Sequence, residues 1–187
     1  FSPEVIRELA RHSGVPVWNG LTDDDHPTQV LADVLTAMEH TGKEPKDLKF
    51  AYIGDGRNNV SNALMIGAAK LGMEYRIASP KELFPSSSLI AGLQEDCKAS
   101  GAMISVTSDI VEAVKGVDVI YTDVWVSMGE EDQTATRIAL LKDYQVTMDV
   151  LQASGNPDVL FEHCLPSFHD LNTAVAQQIH EQFGLTE

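Results

Sequence analysis

Four polar clusters in this sequence contain residue types that could carry out chemistry. They are His26-Pro27-Thr28-Gln29, Gly54-Asp55-Gly56-Arg57-Asn58-Asn59, Asp123 with Ser127-Met128-Gly129, and His163-Cys164-Leu165-Pro166. All four are predicted to lie in loops, and three of them follow short apolar runs that predict strands. Ligands of open α/β folds bind in the crevice beyond the carboxyl ends of the strands. Each of these three clusters is therefore a candidate ligand site.

Asp123 follows the apolar run Val117–Tyr121, so its carboxylate should lie just beyond the end of a buried strand. It could accept hydrogen bonds from the amine of a substrate, while Ser127 and backbone groups near Met128 hold the other end of that ligand. The alternative is purely structural. In that interpretation Asp123 caps a helix that begins near Glu130, and Met128 fills a gap in the core.

Cys164 follows the predicted strand Val159–Phe161 and is preceded by His163. A thiol held near a carboxylate could be a polarised ligand for an amine, and His163 could tune it. Catalysis by Cys164 as a nucleophile would need a base close in space, which a sequence does not reveal. The structural alternative is that Cys164 is a small buried apolar residue.

His26 opens an amphipathic helix whose first turn accommodates Pro27. Free backbone N–H groups, the imidazole and the Gln29 amide could converge there on a carbonyl or phosphate oxygen. The acidic side chains of Asp23–Asp25 would repel an anionic ligand at this position unless they point away from it. A capped helix with a solvated histidine is the alternative.

The glycine-rich loop after the second predicted strand is a poor match to a dinucleotide-binding fingerprint. The fingerprint would need glycine where Asn59 stands, and an acid where Ser79 and Pro80 follow the next strand. Asn58 and Asn59 instead offer amide groups to an α-carboxylate or an α-amine. They could equally form an asparagine-rich turn and a helix cap.

Short apolar runs alternate with helical patterns along the chain, which predicts a parallel sheet. The predicted strands are Val15–Trp18, Lys49–Ile53, Glu74–Ala78, Met103–Val106, Val117–Tyr121 and Val159–Phe161. Helices are predicted after Ser2-Pro3, after His26-Pro27, at Asn59–Leu71, Ser87–Lys98, Gln133–Leu141 and Leu171–Phe183. Residues 44–187 are expected to form a doubly wound, Rossmann-like α/β domain with helices on both faces of a five-stranded sheet. Residues 1–43, predicted as helix, strand and helix, could belong to another lobe.

The composition narrows the possible partners. The formal net charge is -15 with only 13 Lys plus Arg, which argues against binding to nucleic acid or anionic membranes. The two cysteines are far apart in sequence and suggest neither a zinc site nor a disulfide framework. No run of 18 apolar residues and no signal-like amino terminus is present. We expect a soluble, cytoplasmic protein, and the initial Phe1 suggests that something upstream has been removed.

Taken in order, the motifs His-Pro-Thr-Gln, Gly-Asp-Gly-Arg-Asn-Asn, Asp-x-x-x-Ser-Met-Gly and His-Cys-Leu-Pro resemble those of the ornithine carbamoyltransferases. The resemblance covers essentially the whole chain. The first motif is shared with aspartate carbamoyltransferases, whereas the last two favour ornithine. The family transfers the carbamoyl group of carbamoyl phosphate to the δ-amine of L-ornithine, giving L-citrulline and phosphate in arginine metabolism.

The resemblance implies two neighbouring substrate sites. The ornithine site is expected at Asn59, Asp123, Ser127 and Met128. The carbamoyl phosphate site is expected at His26, Pro27, Thr28, Gln29, Cys164 and Leu165. The expected catalytic residues are Asp123 and Cys164, which would orient the δ-amine, and His26, which would donate to the carbonyl oxygen as it gains charge. No metal or organic cofactor is implied, and the parent enzyme is expected to be a homotrimer or a multiple of trimers.

Two parts of the family pattern are absent from this sequence. They are the Ser-Thr-Arg-Thr phosphate loop of the preceding domain and the Arg-His-Thr segment near the carboxyl terminus. We therefore expect an acceptor-binding fragment of a longer enzyme that is inactive by itself. The alternatives are a carbamoyltransferase that uses putrescine or acetylornithine, and a non-catalytic amino-acid-binding module. A dinucleotide-binding dehydrogenase domain would bind NAD, and we expect no such binding.

Overall fold

The computed structural model describes residues 2–126, 133–167 and 170–184. Five parallel strands form one sheet in the order β3-β2-β1-β4-β5. The strands are β1 (Lys49–Ile53), β2 (Glu74–Ala78), β3 (Met103–Thr107), β4 (Val119–Thr122) and β5 (Leu160–His163). The strand order reverses between β1 and β4, which is where ligands bind in doubly wound folds. The predicted Rossmann-like fold is confirmed.

Nine α-helices connect or flank these strands within the described residues. They are α1 (Pro3–His12), α2 (Pro27–Thr41), α3 (Asn59–Leu71), α4 (Ser87–Gly92), α5 (Gln94–Ser100), α6 (Ile110–Val114), α7 (Thr134–Leu141), α8 (Met148–Ala153) and α9 (Ala174–Phe183). Single 3-10 turns occur at Pro45–Asp47, Lys81–Leu83 and Lys142–Tyr144. Across the described part of the chain, no helix combines the length and the apolar character needed to span a bilayer.

The central strands β1 and β4 are buried on both faces, as their uninterrupted apolar sequences predict. Successive side chains point to opposite sides of the sheet. Tyr52 and Tyr121 stack in the larger core with ring centroids 6.2 Å apart. Ile53 and Ile120 belong to a second core on the other face, beneath α6 and α8. The sheet is therefore fixed in position by two packed layers.

Helices α2 and α3 pack closely because a glycine lies at their contact. A Cβ atom placed on Gly67 would lie 2.6 Å from Cγ1 of Val30, which is closer than two carbon atoms can approach. Val30, Val34 and Ala37 bury one face of α2 in the larger core, whereas α1 buries no residue. This packing sets the position of the first residues of α2 relative to the sheet.

The structure corrects several predicted elements. Val15–Trp18 is not a strand; it runs outside the sheet with no strand beside it, and 78% of Trp18 is exposed. The single helix predicted at Ser87–Lys98 is two short helices that meet at Leu93, directly after Gly92, a poor helix former. The last helix begins at Ala174 rather than Leu171 because the Thr173 side chain caps it.

Candidate active site

The carboxyl ends of three adjacent strands bring together three of the polar clusters. The Gly54–Asn59 loop follows β1, Asp123 follows β4 and Cys164 follows β5. The segment that precedes the fourth cluster is joined to the first loop by a hydrogen bond of 3.0 Å from Asn59 Nδ2 to the carbonyl oxygen of Thr22, and His26 of that cluster lies close enough to Asp123 for its carboxylate to raise the pKa of the imidazole. Described residues of all four clusters thus lie at the edge of the sheet where the strand order reverses.

Asp123 is the centre of this site. Its side chain is buried, and its Oδ2 atom accepts a hydrogen bond of 2.9 Å from Asn58 Nδ2. Its Oδ1 atom accepts from the Cys164 thiol at 3.0 Å and from the backbone N–H of Val124 at 2.7 Å. A carboxylate offers about four acceptor positions. Asp123 can therefore accept a further hydrogen bond from an amine without losing the contacts that orient it.

The Cys164 thiol is held in its protonated form. Burial raises its pKa, and the neighbouring carboxylate of Asp123 raises it further. A thiolate is the form that attacks an electrophile or binds a metal. The geometry consequently favours the interpretation of Cys164 as a hydrogen-bond donor within the site over its interpretation as a nucleophile.

One group of residues in the described part of the chain has the donor atoms of a metal site. Ligand atoms of Asp123, His163 and Cys164 all lie within 4.8 Å of one another, and Nδ1 of His163 contacts the carbonyl oxygen of Cys164. Carboxylate, imidazole and thiolate are suitable zinc ligands. Binding would have to displace the thiol proton that Cys164 now donates to Asp123. The expectation that no cofactor is needed stays a prediction.

His26 stands at the N-cap position of α2 without using its side chain as a cap. Its Nδ1 atom is buried and has no hydrogen-bond partner. Burial lowers the pKa of the imidazole, although the carboxylates of Asp123 and Asp25 act in the opposite direction. A neutral imidazole has one N–H to donate. The ring also interacts with the Gly20 backbone, so neutral His26 can donate to a ligand oxygen in the tautomer whose N–H is not used by Gly20.

The residues that follow His26 have contacts of their own. Pro27 is the first residue of α2, and the Thr28 hydroxyl donates to the carbonyl oxygen of Gly20 at 3.1 Å. Gln29 Nε2 donates to Oδ1 of Asp33 at 2.7 Å. The Thr28 side chain thus holds the segment before the helix, whereas the Gln29 amide is oriented from within the helix.

Sequence reasoning placed Asn59 in the ligand site, but its neighbour has the closer connection to Asp123. Asn58 caps α3 through a 2.7 Å bond from the backbone N–H of Val60, and its amide nitrogen holds Asp123. The position of Asn58 as a helix cap could have indicated this contact, because a side chain that caps through its oxygen keeps its Nδ2 atom for another partner. The Asn59 side chain connects the loop to Thr22 instead.

A buried ion pair beneath the site was not foreseen. Arg137 lies 2.5 Å from Oδ2 of Asp55, both side chains are almost fully buried, and Arg137 Nε donates to the carbonyl oxygen of Trp125 at 2.6 Å. The pair links the loop after β1 to the segment after β4. Its partners are 82 positions apart in sequence, so no local pattern could have indicated it.

Among the remaining predicted site residues that the structure describes, Leu165 does not enter this cluster. Leu165 follows Cys164 and is 84% exposed. Ser127, Met128 and Gly129 lie outside the described residues.

The glycines of the first loop serve the local backbone. Gly54 has a φ of 139°, which residues with a side chain rarely adopt. A Cβ atom on Gly56 would lie 2.8 Å from the carbonyl oxygen of Leu83 and 2.9 Å from the ring of Pro85. The missing side chain of Gly56 therefore makes room for the Leu83–Pro85 segment of the same chain.

Comparison with known proteins identifies the family. Residues 46–182 match the family model described as the aspartate/ornithine carbamoyltransferase Asp/Orn binding domain, and residues 1–39 match that of the carbamoyl-P binding domain. The chain belongs to the aspartate/ornithine carbamoyltransferase family. The two matches leave a gap at residues 40–45, which includes the predicted domain boundary after residue 43; that boundary stays a prediction.

Relatives of this carbamoyltransferase chain agree with the assignment. An ornithine carbamoyltransferase of Limosilactobacillus reuteri is 61% identical over the whole chain, and a catabolic one of Bacillus licheniformis is 58% identical. The chain spans 56% of the length of each. The solved anabolic enzyme of Campylobacter jejuni has a TM-score of 0.83 at 36% identity, covering 97% of this chain and 58% of its own. The solved enzyme of Pyrococcus furiosus has a TM-score of 0.81 at 40% identity, and the match covers 89% of this chain and 52% of that enzyme.

Proposed function

We propose that this chain is the acceptor-binding part of an ornithine carbamoyltransferase. The complete enzyme would transfer the carbamoyl group of carbamoyl phosphate to the δ-amine of L-ornithine and release L-citrulline and phosphate. The observation that carries the proposal is the 3.0 Å hydrogen bond between the Cys164 thiol and Asp123 at the reversal point of the sheet. It supports a site made to hold an amine.

Ornithine binding would centre on Asp123. Its carboxylate accepts from the substrate amine, while Asn58, Val124 and Cys164 keep the two oxygens in place. Ser127 and Met128 would hold the rest of the ligand, and Asn59 would act from the first loop. Since these groups fix the acceptor in one orientation, proximity supplies much of the rate acceleration.

Carbamoyl transfer would then occur between β5 and the start of α2. The neutral δ-amine attacks the carbamoyl carbon and the carbonyl oxygen gains charge; phosphate then leaves as the C–O bond breaks, and it takes up the proton that the amine nitrogen loses. His26 would donate to that oxygen, Gln29 would hold the carbamoyl group, and Leu165 would contact it from the other side. Pro27 and Thr28 would set the position of these groups through the first turn of α2.

The phosphate group of the donor would need cations from elsewhere. The chain has five arginines, each of which forms an ion pair with a carboxylate of the same chain: Arg7, Arg11, Arg57, Arg76 and Arg137. A dianion normally needs several cationic or N–H contacts. Since the Ser-Thr-Arg-Thr phosphate loop is also absent from this sequence, we infer that the chain alone binds the acceptor and that the remainder of the protein supplies the phosphate contacts.

Two alternatives remain worth testing beside ornithine. Putrescine keeps both amines of ornithine but lacks its carboxylate, and acetylornithine keeps the δ-amine, so either could replace ornithine as acceptor. A non-catalytic amino-acid-binding module would keep the same amine site and would need no phosphate contacts. The cysteines, neither in a disulfide, fit a cytoplasmic enzyme of arginine metabolism, and its assembly would be a homotrimer or a multiple of trimers.

The test uses a chimaera in which this chain replaces the matching segment of the L. reuteri enzyme. Citrulline formation from carbamoyl phosphate and ornithine is expected, with much lower rates for putrescine and acetylornithine. The isolated chain should bind ornithine in calorimetry and form no citrulline. Robust citrulline production by the isolated chain would contradict the need for a second lobe. An inactive chimaera beside an active L. reuteri parent would overturn the transferase assignment.

A further inference from the structure

Gln29 and Asp33 are neighbours on one face of α2, four positions apart. The Gln29 Nε2 atom donates to Oδ1 of Asp33 at 2.7 Å. The Asp33 side chain is only 6% exposed, and its Oδ2 atom is buried without a hydrogen-bond partner. The carboxylate is thus held in the protein interior with the Gln29 amide as its hydrogen-bonded partner.

An ionised carboxylate only accepts hydrogen bonds, so it fixes which end of the amide faces it. With the nitrogen of Gln29 directed at Asp33, the amide oxygen becomes the atom that Gln29 presents on its other side. A carbamoyl group carries an –NH2 that needs an acceptor. The orientation imposed by Asp33 therefore leaves the amide oxygen of Gln29 to accept a hydrogen bond from the carbamoyl –NH2 of the donor substrate.

Burial and the Asp123 carboxylate disfavour the negative charge of Asp33 and raise its pKa, whereas Gln29 and Tyr121 favour that charge. Tyr121 faces it from β4 and Glu162 from β5, while Asp123 and Cys164 approach from the loops that follow these strands. Tyr121 and Asp33 influence each other's pKa, although no hydrogen bond of normal geometry joins them.

The two buried acids, Asp33 and Glu162, lose their protons at different pH. Burial raises the pKa of Asp33 to about 6 and that of Glu162 to about 8, and the charge of Asp33 contributes to the second shift. At neutral pH Glu162 is therefore mostly protonated and Asp33 mostly ionised. Glu162 does not compete for the amide, since neither of its oxygens has a hydrogen-bond partner.

We propose that Asp33 is a positioning residue that orients the Gln29 amide for recognition of the carbamoyl –NH2. This role rests on the proposed function, because it acts through a residue assigned to carbamoyl phosphate. When Asp33 takes up a proton it can donate to the Gln29 oxygen, and the amide then turns its nitrogen toward the substrate. Recognition of carbamoyl phosphate should consequently weaken at acidic pH.

The test is a double-mutant cycle in the L. reuteri chimaera, using Asp33→Asn, Gln29→Leu and the combined variant. Asp33→Asn keeps the shape of the side chain but no longer dictates the amide orientation. It should raise the KM for carbamoyl phosphate roughly fivefold, which corresponds to one oriented hydrogen bond, and leave the KM for ornithine nearly unchanged. In the Gln29→Leu background the same substitution should have no further effect on that KM.

The control and a second measurement separate the possible failures. Glu162→Gln, which copies the neutral form of that acid, should leave both KM values unchanged. In the purified 187-residue chain, the side-chain amide signals of Gln29 should shift with pH around 6, and Asp33→Asn should remove that shift. An Asp33→Asn effect that persists without Gln29, or a Gln29 amide that does not titrate, overturns this role alone. A parent chimaera that makes no citrulline overturns the proposed function as well.

Discussion

The Cys164 thiol donates a hydrogen bond to the Asp123 carboxylate across 41 positions of sequence, with 3.0 Å between sulfur and oxygen. The contact exists because β4 and β5 are adjacent and parallel, so that residues directly beyond their ends face each other. In this contact the thiol is the donor, and the carboxylate can still accept a further hydrogen bond. The same contact therefore explains both the inert thiol and the proposed amine site.

Replacing Asp123 with asparagine should weaken ornithine binding by the isolated chain. The substitution removes the charge that an ammonium group would face, and a hydrogen bond to a charged group contributes about 1.5–3 kcal/mol. Calorimetry should show an affinity reduced by about tenfold or more. Asp158→Asn serves as the matched control, since Asp158 is exposed and precedes β5 at the opposite end of the strand. Equal loss in both variants would remove Asp123 from the ornithine site.

Cys164 should react slowly with alkylating agents at neutral pH. Its thiol is buried and its pKa is raised, so very little thiolate forms. The measurement uses Cys97→Ser, which leaves Cys164 as the only cysteine, and follows iodoacetamide labelling of the folded and the urea-unfolded chain. Labelling should be more than about a hundredfold slower in the folded state. Comparable rates would contradict the buried, protonated thiol, and faster labelling of the folded chain would show that the thiol is activated.

In the chimaera, Cys164→Ala should reduce kcat without abolishing turnover. The substitution removes a donor that orients Asp123, but it removes no nucleophile. Cys164→Ser keeps a donor of similar size and should recover part of the lost rate. Complete inactivity of both folded variants would favour a covalent role for the thiol instead.

The strands were predictable because their signal is local. Phe50–Ile53 and Val119–Tyr121 are uninterrupted apolar runs, and such runs predict strands buried on both faces. Val15–Trp18 has a similar composition but no strand beside it, so the same pattern failed there. Composition indicates a preference for extended structure; only the fold determines whether a neighbouring strand is present.

The polar partners within the site were less predictable than its location. Asp123 and Cys164 could be proposed from their positions after strands. The Asp55–Arg137 pair and the approach of Glu162 to Asp33 join residues that are distant in sequence, and nothing local marks them. Such contacts depend on strand order and helix packing, which follow from the summed apolar pattern rather than from the polar residues themselves.

Glu162→Gln should stabilise the chain at alkaline pH. The pKa of Glu162 is raised to about 8, so the folded state prefers the protonated acid. The contribution of this group is fully present below its unfolded pKa and is lost as the pH rises through about 8. Glutamine remains neutral throughout. Urea unfolding at pH 9 should show a gain of at least about 1 kcal/mol over the wild type, after allowance for the partial exposure of Glu162, with little difference at pH 4.5.

Gly67→Ala should destabilise the chain by about 1–3 kcal/mol through overpacking between α2 and α3. The added methyl group would lie 2.6 Å from Val30 Cγ1, so the helices must separate or Val30 must leave its rotamer. Gly92→Ala is the matched control, because that position ends α4 with nothing within 4 Å of the added carbon. It should be neutral or slightly stabilising. Urea denaturation compares the two variants, and combining Gly67→Ala with Val30→Ala should restore part of the loss. If Gly67→Ala proved as harmless as Gly92→Ala, the close approach of α2 to α3 could not be what holds His26 and Gln29 over the sheet.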